Sequence, residues 1–282
     1  MAKIVWIASY PKSGNTWMRV LLTNYLRDAD APADINSLHN GPIASSRVWF
    51  DEWVGIEASA LDDATIERLR PEVYRYLLSE APEPLYMKVH DAWRRTDLGE
   101  PMFPADVTAG AIYILRNPLD VAISGAHHYG ISLPESVDRL CNSEYALGRS
   151  SDQLRQRLGD WSGHVRSWLD DSGLPVHLVR YEDLRRAPEP VFSSVVRFCG
   201  LSYDGDRVRK AVAFSDFREL QRQERETGFR ERPPAASAPF FRQGNSGAWR
   251  DCLTSDLIAR IVGAHGAMMR RFGYLAPNDD PQ

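Results

Sequence analysis

Ile4-Val5-Trp6-Ile7-Ala8-Ser9-Tyr10-Pro11-Lys12-Ser13-Gly14-Asn15-Thr16-Trp17 is the stretch on which the fold turns. An apolar run, Lys3 to Ser9, reads as a buried strand and stops at Tyr10-Pro11. A helical pattern follows from Asn15 to Arg27, with Trp17, Val20, Leu21, Asn24 and Tyr25 near one side. Strand, turn and helix together aim several backbone N–H groups and the positive helix end at one point. Gly14 lets backbone approach an anion closely, Lys12 adds a full charge, and Ser13, Asn15 and Thr16 add donors. The string is not a Walker A loop, whose lysine follows its second glycine; here the lysine precedes the only glycine by two. The bland alternative is an ordinary strand–helix turn with Lys12 in water.

Outward from this loop, strands and helices alternate. Strands are predicted at 84–89, 111–115 and 175–180. Helices are predicted at 62–79, from Pro118 behind an Asn117 cap, and at 151–171, 188–199, 204–213, 216–224 and 255–272. Residues 28–60 read as irregular. Alternation of this kind argues for an α/β fold with a central, largely parallel sheet flanked by helices. With no repeat and no boundary, residues 1–282 read as a single domain. The exception is 225–248, rich in Pro, Gly and Arg, which reads as a mobile loop; connections this long are usually functional.

Composition bounds the function. The 282 residues are 43% hydrophobic and 26% charged, ordinary globular values that exclude disorder and a disulfide scaffold. A net charge of −4 gives no global field for nucleic acid or anionic membrane, so neither is expected as a partner. Cys141, Cys199 and Cys252 are far apart and odd in number, which speaks against a zinc site and for buried reduced thiols. The apolar start is too short for a membrane span and no later run is long enough, so the chain is expected to be soluble and cytoplasmic.

Two further segments suit anions. Ile112 to Leu115 ends at Arg116-Asn117-Pro118, placing Arg116 at a strand's carboxyl end, with Ser124 eight residues on. Alone, this segment reads equally as a capped helix with an Arg116–Asp120 ion pair. Phe241-Arg242-Gln243-Gly244-Asn245-Ser246-Gly247-Ala248-Trp249 combines an arginine, glycines and small polar residues; alone it is a common surface turn.

In this order and spacing the three segments resemble the sulfotransferases that use 3′-phosphoadenosine 5′-phosphosulfate. The family's Y-P-K-S-G-T-T-W differs from residues 10–17 only at Asn15, its arginine and following serine match Arg116 and Ser124, and its R-K-G-x-x-G-D-W faces Arg242 to Trp249. The resemblance runs from residue 4 to about 254. It implies a P-loop-like sulfotransferase fold and an enzyme whose co-substrate is the phosphosulfate and whose product is adenosine 3′,5′-bisphosphate. It implies that Lys12, Ser13, Gly14, Asn15, Thr16 and Trp17 hold the 5′-phosphosulfate end and approach the adenine. Arg116 and Ser124 would hold the 3′-phosphate, supported by Arg242, Gln243 and Gly244; Tyr181, Ser215 and Phe217 would contact the base. Gln243 stands where the family has lysine and Ala248 where it has aspartate. Of the family's dimerisation pattern only Thr254 and a basic Arg250 remain, so the oligomeric state stays open.

Met87-Lys88-Val89-His90-Asp91 ends the second strand, and Lys88 and His90, two apart, project to one side. The family's K-x-H falls here. It implies His90 as general base toward an acceptor hydroxyl or amine, with Lys88 and Lys12 neutralising charge on the transferring group and the leaving oxygen. No metal is called for. His127 and His128 are competing bases; His39, His164, His177 and His265 have no context. Trp49, Phe50, Trp53, Trp93, Tyr129, Phe240 and Phe241 sit where an aromatic acceptor pocket could form for a small molecule. Two alternatives stand beside this reading: an ATP-dependent P-loop small-molecule kinase, and a nucleotide-binding relative without catalysis.

Overall fold

The computed structural model describes residues 3–282 except His39, Asn40, Gln243, Pro277 and Asp279. Four parallel strands form the central sheet: β1 (Ile4–Ala8), β2 (Leu85–Val89), β3 (Thr108–Leu115) and β6 (Val176–Arg180), in the order β2-β1-β3-β6. In register, Ala8 lies opposite Val89 and Tyr113, so the carboxyl ends of β1, β2 and β3 share one edge. A two-stranded antiparallel ribbon, β4 (Ala146–Leu147) and β5 (Gln156–Arg157), stands apart.

Strand alternation divides the core. Ile4, Trp6 and Ala8 of β1 and Ala111, Tyr113 and Leu115 of β3 face one apolar cluster. Val5, Ile7, Ile112 and Ile114 face the other. Both faces are therefore buried, as a parallel sheet requires. On the second face lie α1 (Asn15–Arg27), α8 (Pro188–Phe198) and α9 (Gly205–Phe214). On the first lie α2 (Arg47–Val54), α3 (Asp63–Glu80), α4 (Pro118–Tyr129), α5 (Leu133–Leu140), α6 (Trp161–Arg166) and α12 (Ser255–Arg271). The short α7 (Tyr181–Arg186) and α11 (Trp249–Cys252) and the longer α10 (Phe217–Thr227) complete the helices.

The predicted helix over 151–171 is wrong in its first half. Ser150 Oγ donates to Asp152 and accepts from the Gln153 amide, closing a turn, and Gln156-Arg157 then pair with β4. Gly159 turns the chain at positive φ and Asp160 caps α6, so the helix starts only at Trp161. A π-helical turn, Ser167–Asp171, follows it. Residues 28–60 are not wholly irregular: Ser46 caps α2 and Gly55 ends it. The sequence reading also missed α5, although Ser132-Leu133-Pro134 is a cap with proline in the first turn. β3 begins three residues early, at Thr108.

Cys141 and Cys199 are half-buried but Cys252 is exposed, against the expectation of buried thiols. Among the described residues, no helix is long and apolar enough to cross a membrane.

One buried ion pair underpins the end of β2. Arg70 of α3 donates to both carboxylate oxygens of Asp91, at 3.0 and 2.8 Å, and to the Tyr74 hydroxyl. Both charges are almost fully enclosed. Removing one partner leaves the other charge buried and unpaired, so Asp91→Asn is expected to cost about 3–5 kcal/mol of stability, read by denaturant unfolding. A loss within experimental error would show that water reaches Arg70.

Candidate active site

The loop after β1 takes the shape that its sequence suggests, with one unexpected residue. Gly14 caps α1 at φ 107°, and Lys12 also adopts positive φ, 70°. For a lysine this is a strained conformation, costing on the order of 1 kcal/mol or more. It is held by Arg116, whose guanidinium donates to the Lys12 carbonyl at 2.9 Å. A Cβ on Gly14 would lie 2.7 Å from the Tyr181 ring, so the glycine lets that ring close on the loop. The Ser13 hydroxyl is buried without a protein partner. Asn15 departs from its expected role: its side-chain amide donates inward, to the Ile7 carbonyl (2.8 Å) and Ser9 Oγ (3.2 Å), and ties the loop to β1.

Arg116 joins the first motif to the third. Besides Lys12, it donates to the Asn245 carbonyl at 3.0 Å, and its charge lies 4.4 Å from the Tyr181 ring centre. Its Nε has no protein partner. The Tyr181 hydroxyl donates to the Gly244 carbonyl. Asp120 accepts from the Gly247 and Trp249 amides. The Arg116–Asp120 pair considered from sequence is thus replaced by two separate clasps on the third motif. A Cβ on Gly244 would meet the Phe217 ring at 2.7 Å, so this glycine too admits an aromatic ring. Trp17 lies edge-on to Tyr181, with ring centres 5.9 Å apart.

One cavity of about 890 Å³ gathers these parts. Lys12, Gly14, Asn15, Thr16, Trp17, Lys88, His90, Arg116, Ser124, Tyr181, Phe217, Arg242 and Gly244 all line it. Ser13 does not, although its hydroxyl lies buried beneath the loop. Ser215 is not brought to it: its hydroxyl donates to the Ala211 carbonyl and accepts from Asn24, while its carbonyl accepts from the Trp17 indole. Its contribution is to anchor Trp17. Gln243 lies outside the described residues.

His90 is held as a neutral imidazole with one ring nitrogen open. Its Nδ1 is 2.9 Å from the Ser9 carbonyl, which only accepts, so Nδ1 carries the proton and Nε2 keeps its lone pair. Burial, then the neighbouring Lys88 charge, pushes its pKa well below the ordinary histidine value, so the ring is neutral. The competing base His128 also lines the cavity, but Lys12 Nζ lies 3.1 Å from its Nδ1 and donates there. Burial and then Lys12 push His128 down to about 3. His127 does not line the cavity. Lys12 itself, buried and facing Lys88 and Arg116, is pushed down to about 7.

Glu231 and its partner Arg19 had no role in the sequence reading. Glu231 bridges Arg19 (2.5 Å) and Lys88 (2.9 Å). Burial raises the Glu231 pKa, but Lys88 and Arg19 outweigh it and hold the carboxyl well below its ordinary value. The only sequence signal was a lone acid between Arg230 and Arg232 in a long loop. That loop, expected over 225–248, begins after α10 at Gly228 and lies across the site as a strap. It is fastened by Glu231, by Ser237 on the His127 carbonyl, and by Glu224 accepting from the Phe240 and Phe241 amides.

The expected aromatic acceptor pocket is only partly present. Tyr129, Phe240 and Phe241 line the cavity; Trp49, Phe50, Trp53 and Trp93 do not. Phe50 is buried in the core because α2 turns it toward the sheet, and Trp53 packs beside Tyr76 at the surface. Ser150, Gln153 and Gln156 of the ribbon take their place, so the walls near His90 mix polar and apolar groups.

The sulfotransferase domain model matches residues 3–273. Sulfotransferase 1A1 of Canis lupus familiaris is 25% identical over 262 residues, covering 88% of this chain and 77% of that protein. Cytosolic sulfotransferase 17 of Arabidopsis thaliana is 24% identical over 292 residues, covering 96% and 75%. Among solved structures, a mouse sulfotransferase complexed with PAP shares the fold with a TM-score of 0.60 at 20% identity, over 95% of this chain and 85% of that one. Retinol dehydratase, in complex with androsterone and the inactive cofactor PAP, gives a TM-score of 0.64 at 17% identity, over 98% and 83%. With the sulfotransferase domain matched over residues 3–273, and the three motif segments folded around one cavity, this chain belongs to the sulfotransferase domain family.

Proposed function

We propose that the protein is an enzyme moving a sulfuryl group from 3′-phosphoadenosine 5′-phosphosulfate to a hydroxyl, or an amine, of a small-molecule acceptor. The observation that carries this reading is His90: a neutral imidazole with its proton committed to Ser9, facing the same cavity as the phosphate loop, Lys12 and Lys88. The partnerless Arg116 Nε at the cavity wall, and the two glycines that admit the Tyr181 and Phe217 rings, suit a nucleotide with phosphates at both ends. PAP bound by proteins of the same fold supports the choice of nucleotide.

His90 Nε2 takes the acceptor proton as the acceptor oxygen bonds to sulfur and the bridging S–O bond opens. Lys12 neutralises the phosphate oxygen that leaves, and Lys88 the oxygens of the group in transit. Arg116, Ser124 and Arg242 hold the 3′-phosphate; the Lys12 to Thr16 backbone holds the 5′-phosphate; Tyr181, Trp17 and Phe217 flank the base. Catalysis then rests on positioning and fixed charge. Residues 1–282 act as one cytoplasmic domain, and the strap segment fastened by Glu231 and Ser237 opens to admit substrates. The kinase alternative is disfavoured by family membership, and the non-catalytic one by the convergence of Lys12, Lys88 and His90 on one cavity.

Calorimetric titration with adenosine 3′,5′-bisphosphate, AMP and Mg-ATP tests the reading; preference for Mg-ATP would overturn it. Arg116→Ala is expected to weaken the bisphosphate by about 1.5–3 kcal/mol, the worth of a charged hydrogen bond, and AMP far less. Equal losses for both would show that Arg116 braces the Lys12 carbonyl without reading the 3′-phosphate.

A further inference from the structure

We propose that His164 and Tyr113 are positioning residues that hold His90 in the orientation and tautomer its role as base requires. The inference rests on the reading of His90 given above. The sheet ladder at the end of β2 stops one residue too soon for His90: the Ser9 amide donates to the Val89 carbonyl at 3.2 Å. The next carbonyl, that of His90 itself, lies beyond the ladder and is met instead by His164 Nε2 at 3.0 Å. A carbonyl only accepts, so His164 carries its proton on Nε2, and its Nδ1 is an acceptor. The Tyr113 hydroxyl lies 2.8 Å from that Nδ1 and donates to it.

The whole chain of donors therefore has one consistent direction. Tyr113 O–H donates to His164 Nδ1, His164 Nε2–H to the His90 carbonyl, and His90 Nδ1–H to the Ser9 carbonyl. Only His90 Nε2 is left with a free lone pair at the cavity. Tyr113 and His164 are both fully buried, so neither bond can be exchanged for water. Burial pushes His164 down to about 4, which keeps it neutral and preserves this pattern.

The arrangement also couples the base to the phosphate loop. The Tyr10 ring packs edge-on against the His164 ring, with centres 5.4 Å apart, and Ser9, the acceptor for His90, precedes it in the chain. On the far side, Trp168 donates to the Asp91 carbonyl at 3.0 Å, fixing the peptide that follows His90. His164 touches neither cavity nor reacting atoms; it acts through the His90 main chain. Sequence reading gave it no role because the helix that carries it is far from β2 along the chain.

The test uses the full chain. His164→Leu removes the donor, His164→Gln keeps an N–H at the position of Nε2, and Tyr113→Phe removes only the hydroxyl. His164→Leu is expected to lower kcat about 10- to 100-fold, as expected for a misplaced catalytic group. Binding of adenosine 3′,5′-bisphosphate should stay within about twofold, since the loss is confined to the transition state. His164→Gln should restore most of kcat, and Tyr113→Phe should fall between. Imidazole ¹⁵N spectra of the free protein provide a readout independent of activity. His90, assigned through His90→Ala, should be protonated at Nδ1 in the wild type and a mixture of tautomers in His164→Leu. Wild-type kcat in both His164→Leu and Tyr113→Phe would overturn the proposal. So would Gln faring no better than Leu, or parallel losses in kcat and nucleotide binding. Should His164→Leu fail to fold, Tyr113→Phe decides: unchanged kcat with an unchanged His90 tautomer overturns it. Failure of the underlying reading looks different, because His90→Ala would then keep its turnover.

Discussion

His90→Ala is expected to lower sulfuryl transfer by about 10²–10⁴-fold, the usual worth of a positioned general base. Nucleotide binding should be nearly unchanged, because the phosphate loop, Arg116 and Tyr181 hold their places without the imidazole. The same geometry fixes the pH behaviour. Burial and Lys88 hold the His90 pKa well below its ordinary value, so the ring is already neutral where a free histidine would be partly charged. Activity governed by His90 should therefore show no loss as pH falls through about 6.5, the unperturbed histidine value, and should decline only below it. An acid limb centred near the ordinary value would mean that solvent reaches the ring. Retained turnover in His90→Ala would remove it as the base and point to His128, the other cavity-lining imidazole.

Lys12→Met is expected to lower kcat by about 10²–10³-fold, comparable with losing a principal donor to developing negative charge. A second effect arises from burial. With its pKa pushed down to about 7 by burial, Lys88 and Arg116, Lys12 is largely neutral at about pH 8, and its Nζ rests against His128. An anion beside Nζ favours the ammonium and raises that pKa, so nucleotide binding at about pH 8 should take up a proton. Below about pH 7 the lysine is already charged and the uptake should vanish. Calorimetry in buffers of different ionisation enthalpy measures it directly. Uptake that persists in Lys12→Met would assign the proton to another group.

Much of the site could be read from the sequence because its motifs are local. Tyr10 to Trp17 forms a turn from strand into helix, as the sequence predicts, with backbone N–H groups exposed at the helix start. Arg116 just after β3, Lys88 on β2 and His90 just after it follow from the strand pattern in the same way. Asn15 and Ser215 show where such reading stops. Both are polar, and both stand where a ligand contact is plausible. Yet Asn15, although it lines the cavity, donates its side-chain amide to Ile7, and Ser215, outside the cavity, donates to Ala211, so both donors are committed to the protein. The helix predicted at 151–160 failed for a related reason: Ser150 and Asp152 offered side-chain turn bonds that competed with the helix, and β4 supplied a partner strand.

The α/β class and the places of the three motif segments, with Lys88 and His90 at the end of a strand, were legible in the chain because each is written in short-range pattern. Only packing decided how His90 is protonated, that Lys12 rests on His128, that Glu231 of the strap joins Arg19 to Lys88, and that His164 and Tyr113 stand behind His90. These depend on contacts between residues tens to more than two hundred positions apart. A hydrogen bond of that span is set by how helices and strands stack on the two faces of the sheet, and no local periodicity encodes it.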